Sequence, residues 1–148
     1  MYNAARYDGD DSPAPATREI MEINKDLIAA SSTPIVLAIL AEEDSYGYAI
    51  LMRVRELSKG QMEWTDGMLY PVLHRLERLG HVTARWENSE TGRKRKYYRI
   101  TPAGKAQLAE EQRQWQAVNA TLKGIWSSVT ISLAPRYAAP AVLLLQAA

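Results

Sequence analysis

The change of hydrophobic period at Gly80 constrains this chain more than any other feature of its sequence. Before it, Leu69, Val72, Leu73, Leu76 and Leu79 recur at the three-and-four spacing that lays one helical face on a core. The spacing predicts a helix from Thr65-Asp66 to Leu79, with Gly80 as its stop. After it the period becomes two. Val82, Ala84 and Trp86 alternate with His81, Thr83 and Arg85, the turn residues Asn88 to Gly92 follow, and Lys96 to Ile100 mirrors the first run. A helix running straight into a β-hairpin shares its core with that hairpin. Its other face, Gly67, Tyr70, Pro71, His74, Arg75 and Arg78, is aromatic and basic, and Arg93-Lys94-Arg95-Lys96 occupies the hairpin tip and returning strand.

Upstream, Ile20, Ile23, Leu27 and Ile28 predict an amphipathic helix from Arg18 to Ala30, and Thr33-Pro34 reads as a cap and first turn opening an apolar helix through Ala41. These are either one kinked helix or two. A further helix is expected from Ser45 to near Gly60, turning Ile50, Val54 and Leu57 inward, followed by an edge strand at Gln61-Met62-Glu63-Trp64. Trp64 and Trp86 are expected to pack under the hairpin.

Downstream, Thr101-Pro102 repeats the cap-and-proline signal and opens a long helix in which Leu108, Trp115, Leu122 and Val129 stand seven apart, with Val118 and Ile125 three beyond two of them. Such a seam asks for a second helix, and a second copy of the chain is the economical supplier. Folding back onto the same domain is the alternative. Leu108, Trp115, Leu122, Ile125 and Val129 are the candidate dimerisation residues. The expected division is a disordered leader at 1–17, a globular unit at 18–101, the long helix at 102–130 and a disordered tail at 131–148.

Charge is distributed unevenly. Residues 1–44 hold nine acids and three bases, net −6, whereas the remainder holds fifteen bases and eight acids, net +7. An anionic partner fits the basic part. With no Cys, thiolate metal sites and cysteine nucleophiles are excluded, and the two histidines, His74 and His81, show no metal or triad spacing. The eight glycines form no phosphate loop. No enzyme activity, cofactor or metal is expected. No apolar run reaches the roughly 20 residues needed to span a bilayer, so no membrane association is expected, and the cytoplasm is the expected location.

The expected class is therefore α+β, mainly α: a winged helix-turn-helix with a long C-terminal dimerisation helix. A helix fits the major groove of double-stranded DNA, and a hairpin beside it reaches phosphates or an adjacent groove. Base reading is assigned to Thr65, Gly67, Met68, Tyr70, His74 and Arg75, backbone contact to Ser45 and Tyr48, and phosphate contact to Arg93, Lys94, Arg95 and Lys96. A winged-helix module that binds protein rather than specific DNA is the alternative.

Leu37-Ala38-Ile39-Leu40, Tyr46-Gly47-Tyr48, the run from Gly67 to Gly80 that opens Gly-Met-Leu-Tyr-Pro, Trp86, and Arg95 to Gly104 together resemble the PadR family of bacterial transcriptional regulators over roughly residues 27–127. The single C-terminal helix is similar to the family's smaller subfamily. The resemblance implies a homodimer on a palindromic operator, with the last helix crossing to the partner. It also implies a repressor released by phenolic acids, drugs or other small aromatic molecules. Trp115 falls where small drug-sensing members of the family place a tryptophan that stacks around a flat ligand, so Trp115, Val118 and Leu122 are the candidate effector residues. A large core residue would satisfy the same position.

Overall fold

The structure, a computed structural model, describes residues 21–129. The expected leader at 1–17, Ile20, and the expected tail at 131–148 lie outside them. Within them the α+β class is observed. The helix α1 (Lys25–Glu42) comes first, then the short strand β1 (Ser45–Tyr46), α2 (Gly47–Leu57), α3 (Asp66–Arg78), the strands β2 (Val82–Asn88) and β3 (Lys94–Ile100), and α4 (Pro102–Ser128). The sheet is antiparallel in the order β1-β3-β2.

Each helix begins and ends for a local reason. Asn24 caps α1 by accepting from the Asp26 amide at 2.8 Å, and Asp26 complements the positive end of the helix. Pro34 lies inside α1, so the question of one helix or two resolves to one, starting later than expected, with Thr33 in its middle rather than at a cap. Packing overrides the hydrogen bond that Pro34 cannot donate: Val36 and Leu37, just after it, are fully buried. Gly80, at φ 75°, carries the left-handed turn that ends α3, and its carbonyl accepts from Thr101 Oγ1 at 2.6 Å. Thr101 also caps α4, accepting from the Gly104 amide at 3.0 Å.

The core forms where α1, α2 and α3 meet the sheet. Val36, Leu37 and Leu40 come from α1, Ile50 and Val54 from α2, Leu69, Leu73 and Leu76 from α3, and Val82, Tyr98 and Ile100 from the hairpin. Truncating any of the fully buried leucines to Ala costs about 2–5 kcal/mol, a large part of a small domain's stability.

Four expectations are corrected. The third strand is not Gln61–Trp64 but Ser45–Tyr46, which pairs with Tyr98 and Tyr97. Residues 61–64 belong to no strand, and are fixed by the Met62 amide donating to Ser58 Oγ at 2.9 Å and by burial of Trp64. Ser45 accordingly starts no helix; α2 begins at Gly47. Leu57 and Leu79 sit at helix ends, past the reach of the core, and stay exposed. Trp86 is not packed under the hairpin: it is 67% exposed. The cause is register, because Ala84 opposite Tyr98 is the last pair over the core and Trp86 opposite Lys96 lies beyond its rim. Among the described residues no helix is long and apolar enough to cross a membrane.

Candidate nucleic-acid interface

Glycine chemistry positions the helix that the sequence assigns to base reading. At Gly47, the first residue of α2, a Cβ would lie 2.7 Å from the Tyr70 hydroxyl, so glycine gives Tyr70 of α3 room to lie across the start of α2. Tyr70 is thereby held at the surface with its ring 6.2 Å from that of His74, one turn on. Thr65, Gly67, Tyr70 and His74 are all exposed, and the Thr65 side chain makes no cap hydrogen bond. Two other candidates point elsewhere. Arg75 donates to Thr33 Oγ1 of α1, and Met68 lines a groove with Met21 and Ile28 on the α1 side.

The hairpin presents its cations selectively. Its tip is a tight turn in which the Ser89 amide donates to the Arg93 carbonyl at 2.8 Å and Gly92 adopts φ 79°. Lys94 to Ile100 then pair in register with Asn88 to Val82. Arg85 and Arg99, which project from the same face of the hairpin, converge on Asp44, each with a nitrogen 2.8 Å from Oδ2. The Arg99 guanidinium, and then that of Arg85, hold the Asp44 carboxyl below the usual aspartate range. Lys96 Nζ lies 3.7 Å from Glu77 of α3 and 5.5 Å from the Tyr98 ring. Arg95 covers the face of Tyr46 at 4.5 Å, a cation–π contact that leaves its charge uncompensated. Arg93 and Lys94 are exposed. Among the described residues no carboxylate pairs with Arg93, Lys94 or Arg95.

A cleft of about 580 Å³ opens between the start of α2, α3 and the hairpin, and it gathers Tyr48, Tyr70, Arg93, Lys94, Arg95 and Lys96 from the sequence assignment. Ser45, 8% exposed on β1, is not among the residues that line the cleft. Tyr46, Asp66 and Trp86 line the cleft and were missed. Trp86 was legible in principle, since the residue opposite it in the mirrored run is a cation, Lys96, and not a core residue. The arrangement suits a polyanion that enters between a helix and a charged hairpin, with aromatic rings on its path.

On α4, Leu108 packs against the core of its own chain, so the stripe free for a partner begins at Trp115. Val118, Leu122, Ile125 and Val129 follow it with exposures of 50, 38, 54 and 48%. Trp115, Val118 and Leu122 line a shallow hollow of about 340 Å³. Among the described residues no cluster of His, Asp and Glu is arranged to hold a metal ion.

The family model described as the transcriptional regulator PadR-like family matches residues 36–110. A transcriptional regulator of Mycobacterium tuberculosis is 44% identical over 59 residues, which are 40% of this chain and 54% of that protein. An uncharacterised protein of Lysinibacillus sphaericus is 34% identical over 96 residues, covering 65% of this chain and 88% of the relative. Among solved structures, a transcriptional regulator from Clostridium thermocellum superposes with a TM-score of 0.64 at 30% identity, over 69% of this chain and 96% of its own. A PadR family transcription regulator from Clostridium difficile gives 0.58 at 28% identity, over 65% and 98%.

Proposed function

This chain belongs to the PadR-like family of transcriptional regulators, a DNA-binding family and not a family of enzymes, and from that premise we propose that it is a ligand-released repressor acting as a homodimer on a palindromic operator. The observation that carries the reading is the cleft beside α3, where no carboxylate among the described residues pairs with Arg93, Lys94 or Arg95, while Arg85, Arg99 and Lys96 are paired with acids. Free cations beside a groove-sized helix are what phosphate neutralisation requires. Thr65, Gly67, Tyr70 and His74 are the base readers in this account, whereas Arg75 and Met68 serve the α1 side.

Dimerisation through α4 is supported by the stripe that runs from half-buried Trp115 through exposed Val118, Leu122, Ile125 and Val129, an apolar surface that a second helix would cover. The effector reading follows from the same stripe. Two copies of Trp115, brought together near the dyad, would hold a planar aromatic molecule by stacking, with Val118 and Leu122 beside it. The start of α4 is joined to the end of α3, since the Thr101 amide donates to the His81 carbonyl at 3.0 Å and its hydroxyl to the Gly80 carbonyl. A ligand that changes the crossing of the two α4 helices therefore changes the spacing of the two α3 helices. Release follows only if the ligand prefers the spacing that mismatches the operator.

Selection of bound sequences from random duplex DNA tests the first half of this proposal. Two inverted half-sites about one helical turn apart are expected; an unpaired single site contradicts the dimeric reading. Fluorescence titration with planar aromatic compounds, compared between the parent and Trp115→Ala, tests the second half. Unchanged affinity in a variant that stays dimeric places the effector elsewhere.

A further inference from the structure

Trp86 is the residue for which neither core packing nor charge accounts. A tryptophan 67% exposed at the rim of a hairpin is unusual for a residue that normally buries most of its surface. It is also not isolated. Tyr48, 66% exposed, and Tyr70, 38% exposed, line the same cleft from α2 and α3, facing the same opening as Arg93 and Lys94. The α4 stripe has a second helix to cover it in the dimer, but this aromatic group lies on the DNA side and needs a different occupant.

Its placement is rigid. The seven-pair register of β2 with β3 fixes which way Trp86 projects, and the residue opposite it, Lys96, reaches across to Glu77 of α3. The hairpin is thus tied to the recognition helix at the level of Trp86, so this residue stands at the cleft before any ligand arrives. A phosphate attracts cations and hydrogen-bond donors, and an indole offers it little. What DNA carries next to each phosphate is a deoxyribose, and on thymine a methyl group, both apolar surfaces suited to an aromatic plane.

We propose that Trp86 and Tyr48 grip the apolar surface of the DNA, the deoxyribose face or the thymine methyl, beside the phosphates taken by Arg93 and Lys94. Binding then has two separable parts. The electrostatic part falls as salt rises, because it comes from released counterions, whereas the aromatic part comes from apolar burial and does not depend on salt in that way. This inference rests on the DNA-binding reading and assigns it a residue outside the charged run.

The test measures affinity of the full chain for its selected duplex across a salt series for the parent, Trp86→Ala, Trp86→Phe, Tyr48→Ala and the double variant Arg93→Ala/Lys94→Ala. Trp86→Ala is expected to bind about tenfold more weakly at every salt concentration with the slope of the parent, the size of one aromatic stacking interaction. Trp86→Phe should recover most of that loss, and Tyr48→Ala should lose affinity in the same salt-independent way. Replacing thymine by uracil in the duplex distinguishes the two apolar surfaces: a loss seen in the parent but not in Trp86→Ala assigns the methyl, and no loss assigns the sugar. Parent affinity in Trp86→Ala, or a loss that Trp86→Phe does not recover, overturns the proposal. Retention of the parent slope by Arg93→Ala/Lys94→Ala instead indicts the cleft itself as the DNA interface.

Discussion

Asp44 decides which arginines of the hairpin are available to a partner. By accepting from both Arg85 and Arg99 it removes two cations from the pool and ties β2 and β3 to the segment that follows α1. Because its pKa is lowered on folding, the carboxylate contributes stability that is fully present above the unfolded aspartate value of about 3.9 and is lost as pH falls through the lower folded value. Asp44→Asn should therefore be less stable than the parent at neutral pH, and the gap should close as pH falls below about 4; denaturant melts at several pH values measure it, and a gap independent of pH removes the ion pairs from the account. His74 makes a second prediction at this scale. A ring exposed beside Tyr70 on the outward face of α3 has no packing role, so His74→Ala should leave stability within about 0.5 kcal/mol of the parent while costing about 1–3 kcal/mol of preference at one base pair. A loss spread evenly over all sequences would make His74 a phosphate contact.

The elements differ in how far their residues announce them. Those whose period is long and whose ends carry caps were legible: α3, from Thr65 to Gly80, and α4, from Thr101-Pro102 onward, start and stop where the sequence signals placed them. The hairpin was legible from alternation alone. The two-residue strand β1 was not, because Ser45 and Tyr46 show no period of their own and become a strand only when β3 arrives beside them. The same long-range pairing is why Ser45 reads as a helix cap and is instead buried. Long-range polar contacts were equally hidden, since the hydrogen-bonded Arg75 and Thr33 are 42 positions apart and the ion-paired Arg99 and Asp44 are 55. The cationic run was visible as a whole, but which of its members are free is set by these tertiary contacts. The joint between α3 and α4 is the element-scale feature with the sharpest consequence. A Cβ at Gly104 would collide with the His81 carbonyl oxygen, so Gly104→Ala forces α4 away from the α3–β2 junction. A loss of about 1–3 kcal/mol is expected from thermal or denaturant melts. Retention of parent stability would show that the junction yields freely and cannot transmit motion.

At the scale of the whole molecule, the chain joins two surfaces through one core. The cleft is lined by α2, α3 and the hairpin, and none of α4, about 40 Å long at 27 residues, lines it. Pairing two such chains along α4 would set two clefts at a distance fixed by the crossing of the helices, which is how a symmetric dimer measures a symmetric site. The apolar stripe makes the dimer testable without DNA: Leu122→Glu/Ile125→Glu should yield a folded monomer by sedimentation, and a dimer that survives both charges would move the interface off α4. DNA binding in this reading rests on the wing cations that no carboxylate among the described residues pairs with, held against the phosphates. It is tested most directly by the slope of log affinity against log salt for the parent and for Arg93→Ala/Lys94→Ala/Arg95→Ala. With about 0.9 of slope for each phosphate no longer neutralised, the variant is expected to show a slope shallower by several units across the two protomers, with its affinity lowered for all sequences alike. A slope equal to that of the parent would contradict the claim.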